Sequence, residues 1–187
     1  MRILIADDEA IIRMGLRAML KEMGHEVVGA ARSGAEAIRL AHDLQPEMVI
    51  LDIKMPEVDG LAAAQRIAAE RPVPILILTA YSDRDLVDRA ANLAVQGYLV
   101  KPVREVELAA ALALAQSTFQ EWQALQQEAA GLQEALETRD LVDRAKKRLI
   151  ESKGLPEREA FLYLQRRSRE QRRTLRAVAE EVLGKRR

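Results

Sequence analysis

The sequence predicts an α/β domain built on a doubly wound, five-stranded parallel sheet, followed by a long helical connector and a small three-helix domain. Three observations support this fold class. Short apolar runs recur through the first hundred residues, segments with helical spacing separate them, and the sequence becomes rich in Ala and Gln after Pro102. Strands that alternate with helices in this way favour a parallel sheet, because each crossover between parallel strands has room for a helix.

Each predicted strand is a short apolar run between polar or turn-forming residues. Four runs are apolar enough to be buried strands, and a weaker fifth run is expected nearer the edge of the sheet. The buried runs are residues 3–6, 48–51, 75–78 and 98–100, and the weaker run is 25–30. The helices between them have recognisable ends, since Gly24 can stop the first and Ser33 with Glu36 can form a capping box at the second.

The rest of the chain is predicted to be helical. A connector over about 103–136, interrupted only by Gly131, carries apolar residues near the spacing of a coiled coil, which predicts a homodimer. This predicted seam consists of Leu108, Leu112, Ala115, Phe119, Trp122, Ala129 and Leu136. The alternative is a linker helix that packs only on its own chain. Three amphipathic helices follow, at about 139–152, 156–168 and 170–183, so we expect domains at 1–120 and 139–187 joined by a connector at 121–138.

The charges are divided unequally along the chain. The 29 basic and 29 acidic residues cancel overall, but residues 1–138 carry a net charge of −8 and residues 139–187 a net charge of +8. The basic end suits a polyanion. The absence of cysteine excludes disulfides, thiolate metal sites and a cysteine nucleophile, and it fits a cytoplasmic protein. No apolar stretch approaches the length of a membrane helix, and no secretory signal is visible, so no membrane partner is predicted.

Polar side chains follow the predicted strands at one edge of the sheet. Asp7 and Asp8 follow the first strand, Asp52 ends the third, Thr79 ends the fourth and Lys101 ends the fifth. Because the carboxyl ends of parallel strands meet at the same crevice, these side chains can converge there. Neighbouring carboxylates repel one another and favour a bound cation, and Mg²⁺ suits an all-oxygen set. Asp52, on the central strand, is the predicted nucleophile for a phosphoryl group.

Taken singly, such a carboxylate is more simply a loop end or a helix cap. The complete set, however, resembles the receiver domain of two-component response regulators over about residues 1–120. The resemblance depends on Asp7-Asp8, Asp52 with Lys54-Met55-Pro56 and Gly60, Thr79-Ala80, and Lys101-Pro102. It implies a flavodoxin-like fold and a sensor histidine kinase whose phosphohistidine donates to Asp52.

The resemblance also implies roles for individual residues. Mg²⁺ would be held by Asp8, Asp52, less directly Asp7, and the backbone carbonyl of Lys54. The Lys101–Pro102 peptide bond would be cis. Thr79 and Tyr98 would form a switch in which the aromatic ring turns inward, and Lys101 would contact the phosphoryl oxygens. Lys54 and Tyr81 would modulate hydrolysis of the acyl phosphate, and no other enzymatic activity is implied.

The C-terminal helices carry a cluster of cations, and nucleic-acid phosphates are the usual partner of such a surface. The predicted contact residues are Lys146, Lys147, Arg148, Arg166, Arg167, Arg172 and Arg173. The alternative, a solvated helix face with paired charges, needs nearby acids. Between Arg166 and Arg176 the sequence offers only Glu170.

Residues 139–184 resemble the ANTAR domain, a three-helix RNA-binding module. The similarity lies in Ala145-Lys146-Lys147-Arg148-Leu149, in 156–161 with Leu164 and Ser168, and in 175–179. It implies binding of RNA stem-loops that prevents transcription termination. One departure is that the family usually has Gly and an apolar residue where Lys147 and Arg148 stand. Tyr163 can either stack on an RNA base or pack within the module.

Two other functions remain open from the sequence. A DNA-binding response regulator is favoured by 155–159, which are similar to the start of a helix-turn-helix output domain, but the module has room for only three helices. A phosphatase built on the same aspartates is the other alternative. It is disfavoured because Lys54, two residues after Asp52, stands where a second acid/base aspartate would be needed.

Overall fold

The computed structural model describes residues 1–80 and 95–184. Tyr81, to which the resemblance assigns a role in hydrolysis, lies outside the described residues. The described chain forms two compact units, Met1–Gln123 and Ala124–Arg187.

The first unit contains the predicted five-stranded parallel sheet. Its strand order is β2-β1-β3-β4-β5, so β3 is central and the weak strand β2 lies at an edge, as predicted. The strands are β1 (Arg2–Ala6), β2 (Glu26–Ala31), β3 (Met48–Asp52), β4 (Ile75–Thr79) and β5 (Gly97–Val100). The predicted bounds differ from these by at most one residue at either end, because each strand is a separate apolar run.

Three helices of this unit are α1 (Ala10–Glu22), α2 (Gly34–Leu44) and α3 (Gly60–Glu70). Gly24, with a φ of +78°, follows the end of α1. Ser33 caps α2, and its Oγ accepts a hydrogen bond from the Glu36 backbone at 3.2 Å. The Glu36 carboxylate accepts a hydrogen bond from the backbone N–H of Arg32 at 2.9 Å. The second hydrogen bond of the predicted capping box is therefore made by the residue before the capping Ser33, not by Ser33 itself.

The sheet is covered on both faces by apolar side chains. One core joins Leu4, Val49, Leu51 and Ile77 to residues of α2 and α3. The other joins Ile3, Ile5, Ile50, Leu76 and Leu78 to Leu16 and Leu20 of α1 and to Leu108, Leu112 and Ala115. The first third of the predicted connector therefore belongs to the core of the sheet domain.

The connector and the first helix of the C-terminal module are one helix, α4 (Glu105–Lys153), which contributes residues to both units. The predicted separation between 136 and 139 is wrong, because residues 137–153 contain neither glycine nor proline, and the first such residues, Gly154 and Pro156, come directly after the helix ends. Gly131 also continues the helix, at a cost of about 1 kcal/mol relative to Ala.

The predicted coiled-coil seam needs a related correction. Leu108, Leu112 and Ala115 are 0–2% exposed because they pack against the sheet, so no seam runs through them. Further along α4, the apolar side chains of Leu125, Leu132 and Leu136 are 62–68% exposed.

The second unit adds α5 (Glu157–Gln171) and α6 (Leu175–Val182) to the end of α4. Its core consists of Leu141, Val142, Ala145, Leu149, Ala160, Leu164, Val178 and Ala179. The third helix begins at Leu175 rather than near residue 170, because Arg172 takes a left-handed φ of +51° and Thr174 caps α6 by accepting from the Ala177 N–H at 3.2 Å. Among the described helices, none is both long and apolar enough to span a bilayer.

Candidate functional site

The acidic side chains predicted to converge do so at the carboxyl ends of β1 and β3. These neighbouring strands pair in register from Ile3 with Met48 to Ala6 with Leu51, so Asp7 and Asp52 emerge side by side. Carboxylate oxygens of Asp7, Asp8 and Asp52 all lie within 4.8 Å of one another. Asp7 is fully buried and Asp52 is 5% exposed, whereas Asp8 is exposed.

Lys101 reaches this cluster from the end of β5. Its ammonium lies 2.7 Å from Asp7 Oδ2, 2.7 Å from Asp52 Oδ1 and 3.9 Å from Glu9 Oε1. The Lys101–Pro102 peptide bond is cis, as the resemblance implied. The cation therefore bridges the two buried carboxylates and offsets part of their repulsion.

Burial and charge act in opposite directions on this group. Burial raises the pKa of Asp52, and the charges of Asp7 and Asp8 raise it further, against the lowering effect of Lys101. Burial alone would lower the pKa of Lys101, but its contacts with Asp52 and Asp7 outweigh burial and raise it. The pocket therefore holds more negative charge than Lys101 alone balances, and its three carboxylates are the oxygen ligands that Mg²⁺ prefers.

The loop after Asp52 is held close to the pocket by a glycine at the start of α3. A Cβ on Gly60 would lie 1.9 Å from the carbonyl oxygen of Asp52, and the Gly60 N–H donates to the Ile53 carbonyl at 2.9 Å. Asp59 caps α3 by accepting from the Ala62 N–H at 2.7 Å. Lys54, whose carbonyl is a predicted metal ligand, lies in this loop with an exposed side chain.

The two predicted switch residues lie on neighbouring strands. Thr79, 5% exposed at the end of β4, donates from its hydroxyl to the Ala80 carbonyl at 3.0 Å. Tyr98 on β5 is half-buried against the core shared with α2 and α3, and burial raises the pKa of its hydroxyl. The ring therefore packs partly against the face of the sheet that α2 and α3 cover.

The predicted cations of the C-terminal unit fall into two groups. Three of the seven are held in ion pairs. The Lys146 ammonium lies 2.8 Å from Asp143 and 3.2 Å from Glu157, and Arg167 and Arg173 both pair with Glu181. The other four, Lys147, Arg148, Arg166 and Arg172, form no ion pair or side-chain hydrogen bond within 1–80 and 95–184.

The expectation that only Glu170 could neutralise the arginines is wrong. Glu181 on α6 pairs with two of them, and Arg176 pairs with Glu180 at 3.3 Å and Glu137 at 3.2 Å. The folding of three helices brings these acids from 137 and 180–181 to the basic segment. Hydrogen bonds from Arg167 and then Arg173 lower the pKa of Glu181.

Tyr163 has a packing role in the structure. It is half-buried against the C-terminal core, and its hydroxyl accepts from Arg167 at 2.9 Å and from Lys153 at 3.2 Å. The Lys153 ammonium also lies 4.4 Å from the centre of the ring. A base would have to displace this cation in order to stack there.

Both units match known families. Residues 3–113 match the family model of the response regulator receiver domain, and residues 130–183 match that of the ANTAR domain. The chain belongs to the response regulator family. The predicted resemblance to both domains is thereby confirmed, and the protein is a two-component response regulator with an RNA-binding antitermination output.

Individual relatives agree with this assignment. Transcriptional regulatory protein PdtaR of Mycobacterium tuberculosis is 50% identical over 182 residues, which cover 97% of this chain and 89% of that protein. The receiver domain of AraT from Geobacillus stearothermophilus has a TM-score of 0.58 at 33% identity, over 65% of this chain and 97% of that one. The receiver domain of NarL from Mycobacterium tuberculosis has a TM-score of 0.57 at 30% identity, over 62% of this chain and 95% of that one.

Two features of this response regulator escaped sequence reasoning. Glu181 was missed because its partners are 8 and 14 residues away along the chain, Arg173 in the turn before α6 and Arg167 on α5. Gly34 was missed as well, although a Cβ there would lie 2.1 Å from the Val58 carbonyl oxygen in the loop after Asp52. Its place directly after the capping Ser33 was the available signal, since a helix start that needs glycine indicates a close backbone contact.

Proposed function

We propose that Asp52 accepts the phosphoryl group from a sensor histidine kinase. The supporting observation is its place at the end of the central strand, nearly buried and 2.7 Å from the Lys101 ammonium. A carboxylate oxygen of Asp52 attacks phosphorus, the bond from phosphorus to the donor's nitrogen breaks, and an acyl phosphate forms. Lys101 then stabilises charge on the phosphoryl oxygens, and Thr79 donates its hydroxyl to one of them.

The ligands proposed for Mg²⁺ are the carboxylates of Asp7, Asp8 and Asp52 and the backbone carbonyl of Lys54. The bound ion would neutralise charge on the phosphoryl oxygens. Calorimetric titration with Mg²⁺ tests this set without any phosphodonor. Asp8→Asn should weaken Mg²⁺ binding, and equal binding by this variant and the wild type would contradict the assignment.

Labelling with radioactive acetyl phosphate tests the phosphoacceptor. Asp52→Asn should abolish Mg²⁺-dependent labelling, because the amide is not a nucleophile. Asp59→Asn is the matched control, since this residue lies in the same loop and an asparagine still caps α3. Full labelling of the Asp52 variant, or equal loss in both variants, would refute the proposal.

The proposed output is the binding of RNA stem-loops by the basic C-terminal unit, over residues 139–187. Four of the predicted contact residues can bind phosphates without breaking an ion pair of the described residues, namely Lys147, Arg148, Arg166 and Arg172. The other three, Lys146, Arg167 and Arg173, must first break an ion pair with a carboxylate. We expect binding to fall steeply with salt, as it does when several phosphates are contacted. A gel shift with an RNA hairpin and a DNA duplex of the same stem distinguishes this function from the DNA-binding alternative, in which the duplex would bind more tightly.

We further propose that the connector, residues 121–138, forms a homodimer after phosphorylation of the receiver, residues 1–120. Along α4, Leu125, Ala129, Leu132 and Leu136 follow a 4-3-4 spacing and are exposed, which is the pattern of a coiled-coil seam. Asp at both Leu125 and Leu132 should give a monomer in sedimentation. Val106→Asp is the control, because Val106 is 81% exposed on the same helix outside the seam. A dimeric double variant would refute the seam.

Two further proposals concern the compartment in which the protein acts and the reactions that it carries out. The protein would act in the cytoplasm, where nascent RNA and the phosphorylated kinase domain are both present. Its own chemistry would be limited to accepting the phosphoryl group and to slow hydrolysis of the acyl phosphate.

A further inference from the structure

A groove crosses the surface of the C-terminal unit between the middle of α4 and the other two helices. It is an open groove of about 590 Å³, and its lining includes Gly131, Ala135 and Val142 of α4, Phe161 of α5 and Leu175 of α6. Its volume is in the range of sites that hold small organic ligands, about 300–1,000 Å³. Because Gly131 has no side chain and faces open space, this end of the groove is unobstructed.

The lining of this groove combines apolar side chains, among which Phe161 is the aromatic one, with charged side chains whose charges cancel. Its acids are Glu134 and Asp143 and its cations are Arg139 and Lys146, so the formal charge is zero. Lys146 is occupied by Asp143 and Glu157, whereas Arg139 has no ion pair within the described part of the chain. A phosphate gains little from such a lining, but a flat, neutral ring with polar edges fits it.

We propose that the groove binds one unpaired nucleobase of an RNA loop, stacked on Phe161 with its edge towards Arg139. The inference rests on the proposed binding of RNA stem-loops, and it specifies that an unpaired loop base is the part of the RNA that binds in this groove. Unpaired loop bases expose both ring faces and hydrogen-bonding edges, which a duplex hides. The unpaired cations of the same unit, Lys147, Arg148, Arg166 and Arg172, hold the phosphates, so the groove adds a preference for loops over duplex.

The choice of Phe161 as the stacking residue rests on exposure. Phe161 is 36% exposed, and it lines the groove. Tyr163, the other aromatic of the second unit, has Lys153 over its ring. Leu162 is 45% exposed next to Phe161, but it does not line the groove, so it is a matched control of similar exposure.

The test measures binding of the full-length protein to two RNAs, a hairpin with an adenosine loop and a blunt duplex of the same stem. The wild type should prefer the hairpin. Phe161→Leu keeps apolar bulk but removes the ring, so it should lose about tenfold or more of the hairpin affinity and keep the duplex affinity. Phe161→Tyr and Leu162→Ala should both behave as the wild type. With 2-aminopurine in the loop, binding should quench the fluorescence for the wild type and not for Phe161→Leu.

Several results would overturn the inference. Unchanged hairpin affinity of Phe161→Leu would refute the groove and leave the proposed function intact. An equal loss for Leu162→Ala would show that the effect is not specific to the ring. A change in sedimentation of Phe161→Leu would assign the groove to a second copy of the chain. Failure of the wild type to bind either RNA would overturn the proposed function and this inference together.

Discussion

Replacing Gly60 with alanine should destabilise the receiver and distort the loop after Asp52, the proposed phosphoacceptor. The added Cβ would lie 1.9 Å from the Asp52 carbonyl oxygen and 2.8 Å from the carbonyl carbon. To reach even the shortest tolerated contact of 3.0 Å, the two backbones must separate by at least 1.1 Å (3.0 − 1.9). The Gly60 N–H donates to the neighbouring Ile53 carbonyl at 2.9 Å, so this separation also strains a hydrogen bond.

The expected cost follows from the nature of the contact. Overpacking a well-packed site usually costs about 1–3 kcal/mol. Because backbone rather than a flexible side chain must move here, we expect about 3 kcal/mol, or a fall of about 10 °C in melting temperature. The shift would also move Asp52 relative to Lys101, so labelling of the variant by acetyl phosphate should be slower than that of the wild type.

Urea unfolding followed by tryptophan fluorescence measures this effect. Trp122 is the single tryptophan, it stacks on the buried Phe119, and it lies in the same compact unit as Gly60. Gly15→Ala is the matched control, because a Cβ on this α1 glycine meets no atom within 4 Å and should stabilise the helix by about 0.5–1 kcal/mol. An unfolding midpoint for Gly60→Ala equal to that of the wild type or of the control would refute the reasoning.

Three further predictions follow from the two units. We expect Lys101 to couple phosphorylation of Asp52 to the RNA-binding output, so Lys101→Ala should accept phosphate slowly but fail to change RNA binding. A normal phosphorylation-dependent gel shift of this variant would contradict that expectation. Arg167 and Arg173 lower the pKa of Glu181 below the ordinary glutamate pKa of about 4.5. The ionised carboxylate therefore stabilises the second unit fully above about pH 4.5, and this stabilisation is lost as the pH falls below that value and Glu181 is protonated. The melting temperature of that unit should therefore fall less steeply with acid in Glu181→Gln. Leu164→Ala, at a fully buried core position, should cost about 2–5 kcal/mol in urea unfolding followed by circular dichroism.

The sheet and its pocket could be predicted from the sequence because both depend on local patterns. Four of the five strands contain a continuous apolar run, and a parallel sheet brings the carboxyl ends of its strands to one edge whatever their exact order. Asp7, Asp52 and Lys101 could therefore be placed together from their positions at strand ends. The close approach of Gly60 to the Asp52 backbone could not, since it depends on the path of the loop between them.

The sequence could not show which part of α4 is buried and which part is exposed, because helical periodicity does not show what a helix packs against. Leu108 and Leu112 share their spacing with Leu132 and Leu136, yet the first pair is 0–2% exposed and the second 62–68%. The first pair is buried by the sheet, a contact between residues far apart in sequence. Mutations meant for a dimer seam would therefore damage the receiver core if placed at Leu112.

The basic surface shows the same limitation for charge. A count along the chain finds Glu170 alone among the arginines of 166–176, but Glu181 forms ion pairs with two of them once α6 packs against α5. Ion pairs of this kind on a surface contribute little to stability, so RNA phosphates can compete for their arginines. To bind a phosphate, Arg167 and Arg173 must each break an ion pair with Glu181. The side chains without an ion pair in the described part of the chain lose only hydration when they bind phosphate, and these are Lys147, Arg148, Arg166 and Arg172. Alanine at these four positions should therefore reduce the salt dependence of RNA binding more, for each charge removed, than alanine at Arg167 or Arg173.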